Sequence, residues 1–204
     1  MLLSVPRAAK FDEDQIVAAA GRLIATRGPS GATIGAIARA VRAPTGSIYH
    51  RFDSRDVLLA EVWLRAAAAF QDAFFARLAG PVPWQAGLAA ALHMAQRARQ
   101  HPDEARLLLL HRRDDFVDRG WPPAMRRRAQ RLGRQIDTEL RAFTRRLCGR
   151  EDPRKVRIVA YAVVEAPFAA IRRHVAAREN LPPYVDVLIR TTYEAVIGLL
   201  GVPD

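Results

Sequence analysis

Apolar residues recur every three or four positions along almost the whole chain, which is the spacing of helices that bury one face. No segment alternates polar and apolar residues over several positions, as a half-buried strand would. Residues 124–147 show the helical spacing most clearly, with apolar positions at Met125, Ala129, Leu132, Ile136, Leu140, Phe143 and Leu147. The pattern predicts an all-α protein of about nine helices.

Capping residues, glycines and prolines divide this pattern into helices. Asp12, Thr33 and Ser54 are typical N-caps, and each stands just before a segment with helical spacing. The predicted helices cover residues 12–26, 33–41, 44–52, 54–78, 84–100, 103–116, 124–147, 153–179 and 184–200. Pro167 is expected to kink the eighth of these helices, since proline cannot donate a backbone hydrogen bond.

Composition and cysteine content add little to this picture. Half of the 204 residues are apolar, which is enough for a sizeable core. No uncharged apolar run is long enough for a membrane span, and the first residues lack the order of a signal peptide. The only cysteine, Cys148, leaves no partner for an internal disulfide, which fits a reducing compartment. We therefore expect a cytoplasmic protein without a membrane partner.

The net charge of +11 favours an anionic partner, but its distribution makes it weak evidence for DNA binding. Residues 1–60 hold eight basic and five acidic residues, a net charge of only +3. The richest basic block is residues 126–157, where arginines occupy the polar faces of a predicted helix. Any DNA-binding site must therefore be argued from a motif.

Two short predicted helices, joined by a turn of about four residues, follow the first long helix. This arrangement is typical of a helix-turn-helix, whose second helix lies in the major groove of DNA. In the second helix Ile48 and Phe52 are four residues apart and are expected to point inward, leaving Tyr49 on the outer side. Gly46 is unfavourable in a helix by about 1 kcal/mol. Close approach to a DNA backbone would explain it.

Residues 33–59, TIGAIARAVRAPTGSIYHRFDSRDVLL, resemble the DNA-binding motif of TetR-family transcriptional regulators. The resemblance implies a DNA-binding domain over residues 8–54 and a ligand-binding and dimerisation domain over residues 55–204. It also implies a repressor that binds a palindromic operator as a homodimer and releases it when an unknown small molecule binds. The dimer would form through the last two long helices. The matching positions are Thr33, Ile37, Ala38, Gly46, Ser47, Ile48, Tyr49, His50, Arg51, Phe52, Ser54, Arg55, Leu58 and Leu59.

Ten residues of the motif are expected to lie on or beside DNA. The resemblance gives phosphate contacts to three of them and places five in or beside the groove, while the remaining two, Arg42 and Arg51, could also contact phosphate. Two positions depart from the family pattern, since Arg42 replaces a common turn glycine and Pro44 replaces a common serine cap. A left-handed Arg42 would cost about 1 kcal/mol, and Pro44 cannot form a side-chain cap. The ten are Thr33, Tyr49 and Arg55 for phosphate, then Arg42, Pro44, Thr45, Gly46, Ser47, His50 and Arg51.

These two departures leave an alternative open, in which the chain is a helical ligand-binding or interaction protein whose helix-turn-helix has lost specific DNA binding. The ligand pocket is less well defined by the sequence. Glu165 is the leading pocket residue because an unpaired charge in an apolar helix is costly. An ion pair with Arg172 or with an arginine of the preceding helix would also explain it. The full set of pocket candidates is Phe70, Phe74, His93, Leu108, His111, Trp121, Tyr161, Glu165 and Phe168.

An enzyme is not expected. The five histidines are scattered, and the sequence contains no HExxH, G-x-S-x-G or P-loop motif. His111 with Asp114 and Asp115 is the nearest approach to a metal-ligand cluster. The sequence thus predicts no catalytic residues, no metal and no cofactor.

Overall fold

The computed structural model describes residues 12–111, 116 and 121–201. Every regular element in these residues is helical, which confirms the all-α prediction. A π turn, Tyr161–Glu165, joins α8 and α9 into one continuous rod, so the described residues form nine rods. The helices are α1 (Glu13–Gly31), α2 (Ile34–Val41), α3 (Thr45–Tyr49), α4 (Arg55–Leu78), α5 (Pro83–Gln100), α6 (Pro102–Leu110), α7 (Pro123–Cys148), α8 (Pro153–Ala160), α9 (Ala166–Ala177) and α10 (Tyr184–Gly198).

The three predicted N-caps are all formed by side chains. Asp12 accepts a hydrogen bond from the backbone N–H of Asp14 at 3.3 Å. The hydroxyls of Thr33 and Ser54 each accept one from the N–H three residues on, at 3.2 Å in both cases. These bonds satisfy N–H groups that have no partner within the helix, and they set where α1, α2 and α4 begin.

Gly28 and Pro167 interrupt the helices where the sequence predicted, but the form of each interruption differs from the prediction. Gly28 has a φ of +72° and breaks α1, and Pro29 begins one further turn that ends at Gly31. Just before Pro167 the rod contains the π turn, and the N–H of Ala166 bonds to the carbonyl of Tyr161. The wider turn accommodates the N–H that Pro167 lacks. α6 ends at Leu110, and part of the segment predicted to continue it lies outside the described residues.

Two hydrophobic clusters organise the core. The first combines α1, α2, α3 and the first half of α4 with Leu107, Phe116, Trp121 and Ala129. The second combines the end of α4 with α5, the second half of α7 and the helices from α8 to α10. Since α4 and α7 pack into both clusters, they connect the N-terminal helices directly to the rest of the chain. The domain division at residue 54 stays a prediction.

Ion pairs fix the start of α1 against α4 and α7. The guanidinium of Arg65 pairs with Glu13 and Asp14 of α1, and with Glu61 on its own helix at 2.6 Å. Glu61 also pairs with Arg128 of α7 at 2.9 Å. These contacts link the start of α1 to α4, and α4 to α7.

The last helix packs tightly against α5 at Gly87. The ring of Tyr193 is fully buried, and its hydroxyl donates to the carbonyl of Trp84 at 2.8 Å. A Cβ on Gly87 would collide with that hydroxyl and would lie 2.8 Å from the ring of Phe143. Glycine is therefore required here by close approach and not by backbone conformation. In the part of the chain that the structure describes, no helix is long and apolar enough to cross a membrane.

Candidate nucleic-acid interface and ligand cavity

The turn between α2 and α3 is closed by Arg42 in a left-handed conformation, with φ +55° and ψ +39°. Its N–H bonds to the carbonyls of Ala38 and Arg39, and the N–H of Ala43 bonds to Ala38 at 2.9 Å. This is the helix ending that glycine usually provides. Arg42 keeps the turn geometry at a cost of about 1 kcal/mol, and its side chain is exposed.

α3 begins one residue later than predicted, at Thr45, because Pro44 takes the N-cap position. Pro44 has an extended conformation with ψ 145° and forms no side-chain cap. The N–H of Ser47 bonds to the Pro44 carbonyl at 3.0 Å. The missing serine cap therefore does not prevent the short helix from forming.

The two sides of α3 differ sharply in burial. Ile48 and Phe52 are 0% and 4% exposed, as the spacing predicted. Tyr49, in contrast, is 54% exposed. The pairs Thr45–Tyr49 and Gly46–His50 are each four residues apart, so they share one side of the helix. The exposed residues of this segment are Pro44, Thr45, Gly46, Tyr49 and His50. They form what we call the α3 face, with Ser47 half-buried at its edge.

Two residues predicted to contact DNA, Arg51 and Arg55, form hydrogen bonds within the protein. Arg51 is half-buried, and its Nη1 donates to the carbonyl of Ser47 at 3.0 Å. Arg55 donates from Nε to the carbonyl of Ala32 at 3.0 Å and from Nη2 to the carbonyl of Pro29. Arg55 thereby ties the start of α4 to the end of α1. Their DNA contacts stay predictions, since each guanidinium retains donors.

The surface beside the α3 face contains exposed groups from two further helices. Thr33 is exposed, and its capping hydroxyl keeps a proton to donate. Arg22 of α1 lines a shallow depression together with Arg42, and Arg39 of α2 is exposed as well. Arg22 lies twenty positions before Arg42 and outside the short motif, which is why sequence analysis missed it.

A cavity of about 170 Å³ lies among α4, α5, α6, α7 and α9. Three predicted pocket residues line it, namely Phe70, Leu108 and Phe168. Phe74 and His93 lie next to the lining, since the ring of Phe70 stacks against both at centroid distances of 6.1 and 6.0 Å. These five predicted residues therefore belong to one region.

Four other pocket candidates lie elsewhere. Trp121 is 2% exposed in the first hydrophobic cluster, and its Nε1 donates to the carbonyl of Phe116. His111 follows α6 and packs edge-to-face on Phe116 at 5.8 Å. Glu165 and Tyr161 both lie in the π turn and are exposed on the surface. The described lining of the cavity includes none of the four.

Sequence analysis missed the polar groups of the cavity. Trp63 Nε1 and Gln71 Oε1 are buried, and neither has a hydrogen-bond partner among the described residues. Arg97 and Glu104 also line the cavity and form a two-pronged ion pair, at 2.5 Å from Nε and 2.8 Å from Nη2. Trp63 and Gln71 are eight positions apart on α4, and no sequence motif marks the two as partners.

His93 is 3% exposed, and neither ring nitrogen has a hydrogen-bond partner among the described residues. Burial, followed by the charges of Arg77 and Arg97, lowers the pKa of His93 from 6.5 to about 4. The imidazole is therefore neutral at neutral pH. The described residues contain no group of three or more His, Cys, Asp or Glu side chains able to hold a metal ion, and Asp114 and Asp115 lie outside them.

Large apolar side chains are exposed along α10 and at the π turn. α10 turns Val185, Ile189, Tyr193 and Ile197 inward. The opposite side exposes Tyr184, Val187 and Leu188 near the start of the helix, and Leu199 is exposed just after its end. Together with Tyr161 they form what we call the C-terminal apolar face: Tyr161 46%, Tyr184 49%, Val187 61%, Leu188 52% and Leu199 78% exposed.

Residues 16–62 match the model of a protein family described as bacterial regulatory proteins, tetR family. The match covers α2, α3 and the turn between them, together with most of α1 and the start of α4. No protein with a curated functional description matches the sequence.

Solved structures with the same fold cover nearly the whole chain. The fatty acid degradation regulator FadR from Bacillus halodurans has a TM-score of 0.68 at 13% identity, covering 92% of this chain and 98% of that one. A TetR-like transcriptional regulator from Rhodococcus sp. RHA1 has a TM-score of 0.64 at 20% identity, with coverages of 96% and 100%. FadR from Bacillus subtilis, solved in complex with stearoyl-CoA, has a TM-score of 0.64 at 14% identity, with coverages of 91% and 98%. At these identities the likeness shows a shared fold.

Proposed function

Because residues 16–62 belong to the tetR family of bacterial regulatory proteins, we propose that this chain is a DNA-binding transcriptional regulator that acts as a repressor. It works in the cytoplasm, binds a palindromic operator as a homodimer, and releases the operator when a small molecule occupies the cavity. Regulators of this family are generally not enzymes, and we propose no catalytic activity.

The α3 face is the observation that carries the DNA-binding proposal. A helix of five residues that buries Ile48 and exposes Tyr49 presents its polar side to a partner outside the chain. Tyr49 and His50 can donate hydrogen bonds to phosphate oxygens, and the methyl of Thr45 can pack on thymine. The exposed Arg42 at the preceding turn adds a positive charge beside them.

The C-terminal apolar face supports the homodimer. Scattered exposed apolar residues are ordinary, but a row along one helix marks an interaction site. Leu188 on α10 and Leu199, directly after its end, are eleven positions or about three turns apart, so a second copy packed on this face would cover them together. A two-fold dimer presents two α3 helices to DNA, and such dimers read half-sites about 34 Å apart.

The position of α6 supports the proposed coupling between ligand binding and DNA binding. Leu107 packs into the first hydrophobic cluster with α1, while the next residues, Leu108 and Leu109, line the cavity. A ligand that shifts α6 therefore acts directly on the packing of α1. At a second point, Arg178 after α9 donates to the carbonyl of Thr26 in α1 at 2.6 Å.

The substitution Tyr49→Ala tests DNA binding. Loss of one hydrogen bond to phosphate costs about 1.5 kcal/mol per protomer, or about 3 kcal/mol for the dimer. This corresponds to roughly 100-fold weaker binding. Because Tyr49 is exposed, thermal stability and the sedimentation of the dimer should not change. Unchanged DNA affinity would show that Tyr49 does not contact DNA.

The substitution Leu188→Glu tests the dimer. A charge at the centre of the C-terminal apolar face should give a folded monomer in sedimentation and abolish binding to a palindromic site. Val82→Glu is the matched control, since Val82 is 44% exposed and lies outside that face. A Leu188→Glu protein that remains a dimer would contradict this interface.

The alternative, an interaction protein without specific DNA binding, rests on Arg42 and Pro44. Arg42 retains the turn conformation, and α3 forms despite Pro44. These observations favour the regulator. A stable dimer that enriches no sequence from a random DNA pool would favour the alternative.

A further inference from the structure

The cavity combines an aromatic, apolar lining with two polar atoms that lack partners. Trp63, Phe70 and Phe168 supply aromatic walls, and the only charged residues in the described lining are Arg97 and Glu104. Trp63 Nε1 and Gln71 Oε1 are buried in the same region without a hydrogen bond from any described residue. Buried polar groups in folded proteins are nearly always paired, so these two atoms call for an outside partner.

We infer that the cavity binds a neutral aromatic molecule of about six to ten non-hydrogen atoms that carries a hydroxyl or a similar donor–acceptor group. Phenol is the simplest member of this class. The statement that this molecule is the regulatory ligand rests on the proposed function. The statement that it binds rests on the cavity alone.

The two polar atoms define what the ligand must offer. The Nε2 of Gln71 donates to the carbonyl of Leu132 at 3.3 Å, which fixes the orientation of the amide and leaves Oε1 as an acceptor. The indole Nε1 of Trp63 can only donate. A ligand therefore needs a donor for Gln71 and an acceptor for Trp63, and a hydrocarbon would leave both unsatisfied.

The charges in the lining exclude an ionised ligand as the preferred one. Arg97 and Glu104 satisfy each other through two hydrogen bonds, with side-chain exposures of 17% and 19%. The pair already neutralises Arg97, so an anion in the cavity would lie beside the partly buried carboxylate of Glu104 without an unpaired positive charge to balance it, which is costly. The paired arrangement therefore favours a neutral molecule.

The volume of the cavity sets the size of the ligand. An apolar protein cavity of about 150 Å³ binds benzene, which is close to the 170 Å³ found here. The acyl chain of stearoyl-CoA, named for a protein of the same fold, has about three times as many carbon atoms as benzene. This cavity therefore suits a single ring with a small substituent.

Calorimetric titration of the purified full-length dimer with four probes tests the inference without DNA. The probes are phenol, toluene as its apolar counterpart, benzoate as a charged one, and stearoyl-CoA. Phenol should bind at one site per protomer, about five-fold or more tighter than toluene for one net hydrogen bond. Benzoate should bind more weakly than phenol, and stearoyl-CoA should not compete. No phenol binding at millimolar concentration, or tighter binding of toluene, benzoate or stearoyl-CoA, would overturn the inference.

Two variants locate the site. Gln71→Leu removes the side-chain amide, with its free acceptor Oε1, and Trp63→Phe removes the indole N–H. Each should abolish the preference for phenol over toluene while leaving toluene binding unchanged. Trp84→Phe is the control, because Trp84 packs on Tyr193 at 5.6 Å, away from the cavity, and should keep the preference. Thermal unfolding verifies that each variant is folded. If the preference survives in both cavity variants, the assignment is wrong.

A separate DNA-binding assay distinguishes the two proposals. If phenol binds but leaves the protein–DNA complex intact, the cavity chemistry stands and the regulatory proposal fails. If DNA binding is confirmed but none of the probes binds, the regulator stands and this ligand class is wrong.

Discussion

Gly46 gives a sharp test of whether α3 faces DNA, because nothing inside the protein requires glycine there. It lies in the helix without a positive φ, it is exposed, and a Cβ built on it would meet no atom within 4 Å. Glycine in a helix interior is less stable than alanine by up to about 1 kcal/mol. The Gly46→Ala protein should therefore be as stable as the wild type or more so, by up to about 3 °C in Tm.

DNA binding should change in the opposite direction. If the DNA backbone lies against Gly46, the added methyl group holds α3 away and weakens the contacts of its neighbours. Loss of one net hydrogen bond per protomer costs about 1 to 1.5 kcal/mol. For the dimer this gives about 2 to 3 kcal/mol, or roughly 30- to 150-fold weaker binding. Fluorescence anisotropy with a labelled operator, together with thermal melts, measures both quantities.

Gly133→Ala is the matched control. Gly133 lies inside α7, is exposed, and likewise would have no atom within 4 Å of an added methyl group. Its replacement should raise stability by a similar amount and leave DNA affinity unchanged. If Gly46→Ala behaves like Gly133→Ala in both assays, DNA does not approach α3 at this position and the account of the α3 face is refuted.

Three further predictions follow from packing, burial and backbone conformation. Gly87→Ala should lower the free energy of unfolding by about 1 to 3 kcal/mol in urea denaturation, because its methyl group would collide with the buried Tyr193. The free energy of unfolding should fall by up to about 3 kcal/mol as pH drops from 6.5 to 4. The reason is that His93 binds a proton in the unfolded chain over this range but not in the folded protein. The His93→Phe protein should lack this part of the pH dependence. Arg42→Gly should raise stability by about 1 kcal/mol by relieving the left-handed conformation. The same variant should weaken DNA binding and reduce the slope of log affinity against log salt by about 2 per dimer.

Each of these predictions can fail in a distinct way. A Gly87→Ala protein as stable as the wild type would show that Tyr193 can move aside. An unchanged acid dependence in His93→Phe would mean that other groups cause it. An unaltered salt slope in Arg42→Gly would remove Arg42 from the DNA contacts.

Most of the helix boundaries could be predicted because they depend on local chemistry. Caps such as Thr33 and Ser54, and breaks such as Gly28, act through neighbours a few residues away. The spacing of Ile48 and Phe52 likewise sufficed to predict which side of α3 is buried. Where these local signals agree, element type and orientation follow directly from the sequence.

The pocket could not be predicted in the same way, because it depends on contacts between distant elements. In the cavity, the amide of Gln71 donates to the carbonyl of Leu132, which is 61 residues away in sequence. Outside it, Arg55 likewise donates to the carbonyl of Pro29, 26 residues away. Glu165 was named as a pocket residue because its neighbours in sequence are apolar. It is exposed in the π turn, and Pro167 indicated an irregularity in this helix but not its form.

Selection of DNA from a random pool by the purified dimer tests the central claim most directly. The wild-type protein should enrich two inverted half-sites with centres about one helical turn, or a multiple of it, apart. The Tyr49→Ala protein, still a dimer, should retain far less of the selected DNA. Enrichment of no sequence by a folded wild-type dimer, or equal retention by both proteins, would contradict DNA recognition through the α3 face.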